Sequence, residues 1–287
     1  MAVKHRKIPL GPLISVGAPT LYMILLFAAP ILVFFIYSFW YLKGWEIVRE
    51  WTLKNYVEVI TNPTYLILIT RSVGIGLTTA CVTVILSYPV AYAMAFRMKE
   101  GRELILLLMV LSLFSSYLVR VYAWKTILGN SGVINSLLLE LGLVQEPVSW
   151  LIYSNFAVIV TLVSVFFPIT ILPIYSALIN IQPGLLEAAR DLGAGAALAF
   201  YKITLPLSLP GVVAGFVFTF ILTAGDYVTP ALLGGSNGQL IGNSIVSQFG
   251  TLSNWPLGSA ITFFVIGIFF ALFGVGGVLT KQLGLRS

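Results

Sequence analysis

Histidine and cysteine each occur once in the 287 residues, as His5 and Cys81. One of each cannot assemble a disulfide framework, a haem site or a His/Cys metal site. Charge is almost as scarce, with Asp, Glu, Lys and Arg together making 9% of the chain, against about a quarter in soluble domains. The apolar stretches carry no His/Asp cluster, Ser/His arrangement or paired carboxylates, so an integral membrane enzyme has no residues to work with. The G-x-x-x-x-G-K-[ST] pattern that cradles phosphates is also missing, which leaves no loop of that type for a nucleotide.

What fills the chain is apolar, at 59% of all residues. Uncharged runs extend from Ile8 to Leu42, Ser72 to Phe96, Pro147 to Leu186 and Tyr227 to Thr280. Each exceeds the roughly 20 residues that cross hydrocarbon. Strand alternation is absent, so the runs read as helices, which satisfy their backbone groups internally, and not as barrel strands. The expected fold is an all-α membrane protein, a single domain over 1–287. Six spans are expected near 13–41, 66–96, 104–128, 153–180, 206–228 and 257–281. The first is expected to be retained as a span, since its apolar stretch is longer than the roughly 7–15 residues of a signal peptide.

The connections are short. Residues 43–65 form a mixed-charge external segment, and Tyr37, Phe39, Trp40 and Tyr41 before them suggest an interfacial aromatic belt. Arg97 to Glu103 makes a tight turn between the second and third spans. Val133 to Leu143 is a small amphipathic piece. The last long run is broken at Gly234–Gly238 and Asn254–Pro256, with 239–252 lying along the outer surface or re-entering it.

With both termini inside, the inner side holds Lys4, Arg6, Lys7, Arg97, Lys99, Arg102, Arg190, Lys202, Lys281 and Arg286 against Glu100, Glu103, Glu187 and Asp191. The other side is balanced, so the whole +6 of the chain lies on the inner face. That is the positive-inside pattern for an even number of spans. The basic excess is thereby explained by topology, and a nucleic-acid partner is not implied.

Between the fourth and fifth spans lies a charged island, 181–205. Pro183–Gly184 ends one helix. Leu185 to Leu192 is helix-prone, with Leu185, Ala188, Ala189 and Leu192 on one face, and Gly193 suits a left-handed stop. A second short helix is expected through Ala196 to Lys202, with Pro206 at the start of the next span. A small knuckle of this kind fits a groove on a soluble partner. The alternative is an amphipathic loop lying on the lipid.

The pattern Glu187-Ala188-Ala189, three residues, Gly193, nine residues, then Ile203-x-Leu205-Pro206 resembles the EAA motif of bacterial ABC-importer permeases. Leu186 to Ala194, Pro206 to Gly215, Leu240 to Asn243, Asn254 to Gly258 and Arg120 to Trp124 extend the likeness to the spermidine/putrescine-type subgroup, over nearly the whole chain. The resemblance implies a type I importer fold, a non-catalytic subunit of the cytoplasmic membrane and half of a translocation path. The knuckle would be the coupling helix to an ATPase dimer that binds ATP and magnesium. The other partners implied are a second related permease, an external solute-binding protein and the bilayer. The implied cargo is a polyamine. Related permeases serve amino-acid-like compounds, opines and phosphonates, and a stand-alone secondary transporter is the remaining alternative.

Ionisable residues at membrane depth are functional candidates by default. Asp226, beside Tyr227, could hold an ammonium group by charge and ring face, or could pair with Arg120 or Lys125. Tyr117, Tyr122 and Trp124 could line a path or form an outer aromatic belt.

Overall fold

The computed structural model describes residues 10–98, 100–236 and 238–282. Lys4, Arg6, Lys7, Lys99 and Arg286 of the inner-face charges, and Asn237 of the break at 234–238, lie outside these residues. The elements in order are α1 (Leu10–Tyr37), strands β1 (Tyr41–Lys43) and β2 (Glu46–Val48), α2 (Lys54–Thr61), α3 (Pro63–Phe96), α4 (Arg102–Phe114) and α5 (Tyr117–Leu128). There follow α6 (Val133–Glu140), α7 (Asn155–Ile179), α8 (Pro183–Asp191), α9 (Ala196–Ala199), α10 (Leu205–Ala224), α11 (Val228–Leu233), α12 (Ile241–Phe249) and α13 (Trp255–Gln282). Five described helices are long and apolar enough to cross a membrane, and a bent pair, Arg102–Phe114 with Tyr117–Glu140, brings the number to six if it is counted as one span.

That bent pair corrects the third expected span. It is not one helix over 104–128: Ser115 and Ser116 are both extended, at ψ 138° and 130°, and the axes on either side differ by 98°. Serine hydroxyls compete for backbone partners, and serine pairs are a recognised place for a helix to kink. The first span also ends early. It stops at Tyr37, and Tyr41 begins a hairpin pairing Tyr41 with Val48 and Lys43 with Glu46. The segment 43–65 is therefore structured, as a hairpin and a short helix.

The chain divides into two compact units. The first holds residues up to 62 together with 247–268. Within it, Asn55 pins α2 to the end of α1 by donating to the carbonyls of Ser38 (3.2 Å) and Trp40 (2.7 Å). Phe35 meets Phe263 edge-on at 5.0 Å, and Phe34 meets Phe249 at 5.5 Å.

The second unit, residues 63–246 and from 269 onward, is built on α3, α7 and α10. These helices approach closely because small residues face one another. A Cβ at Gly211 would collide with the Pro173 carbonyl, and one at Gly215 would come within 2.8 Å of the Thr170 carbonyl. Where the backbones meet, the hydroxyls of Thr170 and Thr219 bond across the seam. At the end nearest α8, Ala91, Met94, Ile171, Ile174 and Leu178 form an apolar core.

The segment 239–252 packs at its beginning against α3 and α7. Leu240 and Ile241 are buried, the amide of Ile241 bonds the hydroxyl of Ser72 at 2.8 Å, and Leu240 packs with Ile75, Val158 and Leu162.

Candidate functional site

Two sites emerge at opposite ends of the α3–α7–α10 layer. The first is the loop carrying Glu187, Ala188, Ala189 and Gly193. Pro183 opens α8 in the first helical turn, where its missing N–H costs nothing. The helix closes on a Schellman motif: Ala194 N–H bonds the Ala189 carbonyl and Gly193 N–H bonds the Arg190 carbonyl, both at 2.9 Å. Gly193 supplies the φ of +81° that the motif requires.

Glu187 and Ala188 are exposed and Ala189 is half-buried. The apolar face points outward, with Leu192 89% exposed and Leu185 44% exposed. Of that face, Ala188 and Leu192 are left open and Ala189 is partly covered.

The second half of the knuckle differs from expectation. Ala196 to Ala224 is one continuous helix, and the expected separate helix over 196–202 is its first part. Residues Phe200–Thr204 form a wide π-turn inside it. Pro206 accounts for that turn, because it has no N–H for the carbonyl of Lys202 and its ring crowds that carbonyl. Leu205 N–H reaches five residues back, to Phe200 O. Ile203 and Leu205 are half-buried and Pro206 is exposed. The Ile203-x-Leu205-Pro206 pattern is thus the signature of an expanded turn that joins the loop directly to α10.

The second site is at the opposite end, where α10 gives way to α11. Asp226, between α10 and α11, accepts the amides of Val228 and Thr229 on its two oxygens, each at 3.1 Å. The Tyr117 hydroxyl bonds the Thr229 hydroxyl at 2.7 Å, and its ring stacks on Phe166. Sequence reading singled out Asp226 and Tyr117 separately. Thr229, which links them, was missed, although an Asp three residues ahead of a Thr at a helix start is a capping signal.

The alternative of an ion pair between Asp226 and Arg120 or Lys125 is not realised among the described residues. The Arg120 guanidinium donates instead to the Val165 carbonyl at 3.0 Å, next to the turn that Pro168 deprives of a donor. The Lys125 ammonium stands over the Tyr122 ring, 5.9 Å from its centre.

The aromatic residues separate by helix face. Tyr117 and Trp124 lie on the packed side of α5. Trp124 lines an apolar cavity of about 420 Å³ with Val82, Leu86, Ile159, Val163 and Phe167. Tyr122 is exposed on another face, and Tyr227 is half-exposed, its carbonyl accepting from Asn243 at 2.8 Å. Tyr117, Asp226 and Tyr227 are therefore gathered at one end of the unit, and Tyr122 stands apart.

A family model for the binding-protein-dependent transport system inner membrane component matches residues 18–283. The chain belongs to this family. It is a permease subunit of an ATP-binding-cassette importer, a multi-pass inner-membrane protein with a transport role and not an enzymatic one.

Among curated relatives, the spermidine/putrescine transport system permease protein PotB of Haemophilus influenzae is 36% identical over 211 residues, covering 74% of this chain and 73% of the relative. PotB of Escherichia coli K12 is 34% identical over 209 residues, covering 73% and 75%. A solved bacterial alginate ABC transporter, in complex with alginate pentasaccharide-bound periplasmic protein, aligns with a TM-score of 0.73 at 17% identity over 95% of this chain and 94% of that one. At that identity the likeness establishes the fold alone.

Proposed function

We propose that this chain forms half of a polyamine translocation pathway, with 1–287 acting as one permease domain and both termini in the cytoplasm. Identity above one third to PotB across about three quarters of both chains carries the cargo assignment. The partners are a dimeric ATPase that binds ATP and magnesium, a second related permease and a solute-binding protein on the outer side.

The loop from Glu187 to Pro206 is the ATPase-coupling element. An exposed helix whose apolar face is largely open at Ala188 and Leu192, locked by the Gly193 stop and followed by the long helix that contains α10, supports this role. Glu187, Ala188 and Ala189 would dock into the ATPase, and Ile203, Leu205 and Pro206 would join the docked helix to the membrane. A displacement of the loop then turns α10 and the helices packed on it. Binding-protein docking outside and ATPase closure inside become two ends of one mechanical linkage.

Asp226 and Tyr227 form the cargo contact at the outer end. The two amides occupy one direction at each oxygen of Asp226 and the Tyr117 hydroxyl adjoins the carboxylate, which leaves acceptor capacity for an ammonium group on the remaining lone pair. Tyr117 and Trp124 support this end from the packed side of α5, and Tyr122 lies at its margin.

The deciding experiment is uptake of labelled spermidine and putrescine by vesicles containing the whole importer and its binding protein. Saturable, ATP-dependent uptake of either polyamine is expected. Failure of both to enter, with another solute entering, would overturn the cargo assignment and leave the permease assignment intact.

A further inference from the structure

The inner end of the second unit contains an aromatic clasp. Phe200 opens the π-turn, and its ring meets two tyrosines of α3 edge-on: Tyr88 at 5.9 Å and 87°, and Tyr92 at 5.9 Å and 76°. Tyr88 and Tyr92 are four residues apart and so share a face of their helix. On the far side of the π-turn, the Tyr88 hydroxyl bonds the Ser208 hydroxyl at 2.9 Å, and Ser208 in turn donates to the Leu205 carbonyl at 3.0 Å. One tyrosine of α3 therefore touches the long helix both at the first residue of its wide turn and beyond its last.

A π-turn is the loosest part of a helix, since its hydrogen bonds span an extra residue and its presence often marks a functional position. A push on the loop would be absorbed there by a small change of twist. The clasp bridges that weak point. Ala199, just before the turn, and Thr204, its last residue, are buried, while Tyr201 and Lys202 within it are exposed, so packing holds its two ends and not its middle.

We propose that the clasp of Phe200 with Tyr88 and Tyr92, closed by the bond from Tyr88 to Ser208, transmits displacement of the loop past the π-turn and into α3. α3 and α10 then move as one body. These are positioning residues, with no contact to cargo or nucleotide. The inference rests on the reading that the loop engages the ATPase.

The test uses the whole importer in lipid vesicles and reads ATP hydrolysis with and without its binding protein, loaded with the ligand that co-purifies with it. Stimulation measured in this way is independent of the cargo assignment. Tyr92→Leu keeps the bulk of the side chain but removes the ring edge, and Tyr88→Phe removes only the bond to Ser208. In Tyr92→Leu, basal hydrolysis is expected to stay within about twofold of wild type while stimulation by the binding protein falls about tenfold. Tyr88→Phe should give a smaller loss of the same kind. Phe200→Leu added to Tyr92→Leu should cost less than the sum of the two single changes, because the contact between these two rings is then already broken.

A packing role alone would lower the melting temperature and reduce basal and stimulated hydrolysis in parallel, and that result would overturn the proposal. Unchanged stimulation in both Tyr92→Leu and Phe200→Leu would overturn it as well. Leu192→Arg separates the underlying reading: if this change on the exposed loop face leaves ATPase association and hydrolysis at wild-type levels, the loop is not the docking element and the transmission path falls with it. If Leu192→Arg releases the ATPase while the clasp variants remain fully stimulated, the clasp alone is wrong.

Discussion

The carboxylate of Asp226 holds the backbone amide of Thr229 at 3.1 Å. A residue proposed to meet cargo is thus also a structural cap, and two substitutions separate the roles. Asp226→Asn removes the charge but keeps one oxygen for an amide, so about 1 kcal/mol of stability should be lost. Asp226→Glu keeps the charge and misplaces the cap. Polyamine uptake should fall about tenfold or more in the Asn variant, the scale of one lost charge contact of about 1.4 kcal/mol, and should be better retained in the Glu variant. Uptake assays alongside melting curves decide it, and the opposite ranking removes Asp226 from the cargo path.

Gly193 sits at φ +81° with open space around it. A side chain there would meet no neighbour, so its cost is backbone strain of about 1–2 kcal/mol, concentrated on the Schellman stop. Gly193→Asp should leave the protein inserted and assembled while uncoupling ATP hydrolysis from uptake. Uptake per ATP hydrolysed is the measurement, and a wild-type ratio would refute the coupling assignment.

These two sites differ in how far the sequence discloses them. The loop is local: Pro183, the Glu187-Ala188-Ala189 run and Gly193 lie within a dozen residues, and their spacing encodes both helix and stop. The spans are equally plain, because uncharged length alone demands them. The break at Ser115–Ser116 is not, since apolar residues continue on both sides and only two hydroxyls mark the kink. The hairpin is three residues per strand, below what alternation can signal. The π-turn was hidden because Pro206 reads equally well as the start of a helix. The bond from Tyr117 to Thr229 joins residues 112 apart, and the capture of Arg120 by the Val165 carbonyl depends on how α5 lies against α7. Such pairings are decided by packing, which no local pattern records.

Helix packing offers a sharper test at Gly211, where an added Cβ would strike the Pro173 carbonyl and the Ala177 methyl. Backbone cannot swing aside as a flexible side chain can, so Gly211→Ala should destabilise the α7–α10 pair by about 1–3 kcal/mol. Gly74, with nothing within 4 Å of its virtual Cβ, is the matched control. There Ala should be neutral or slightly stabilising, because it restricts the backbone. Melting of the two purified variants in detergent tests this, and equal melting temperatures would contradict the close approach.

The orientation proposed from charge is open to direct chemistry. In a Cys81→Ser background, Trp45→Cys at the tip of the hairpin and Leu192→Cys on the loop provide two reporters. Trp45 is 86% exposed and Leu192 is 89% exposed, so failure to label at either cannot be blamed on burial within the chain. A membrane-impermeant maleimide applied to sealed right-side-out vesicles should label position 45 and spare position 192, and opening the vesicles should expose 192. The ten basic residues assigned to the inner face against four acids require this outcome under the positive-inside rule. The reverse pattern would put the Glu187 loop on the side away from the ATPase, and the coupling role could not survive it.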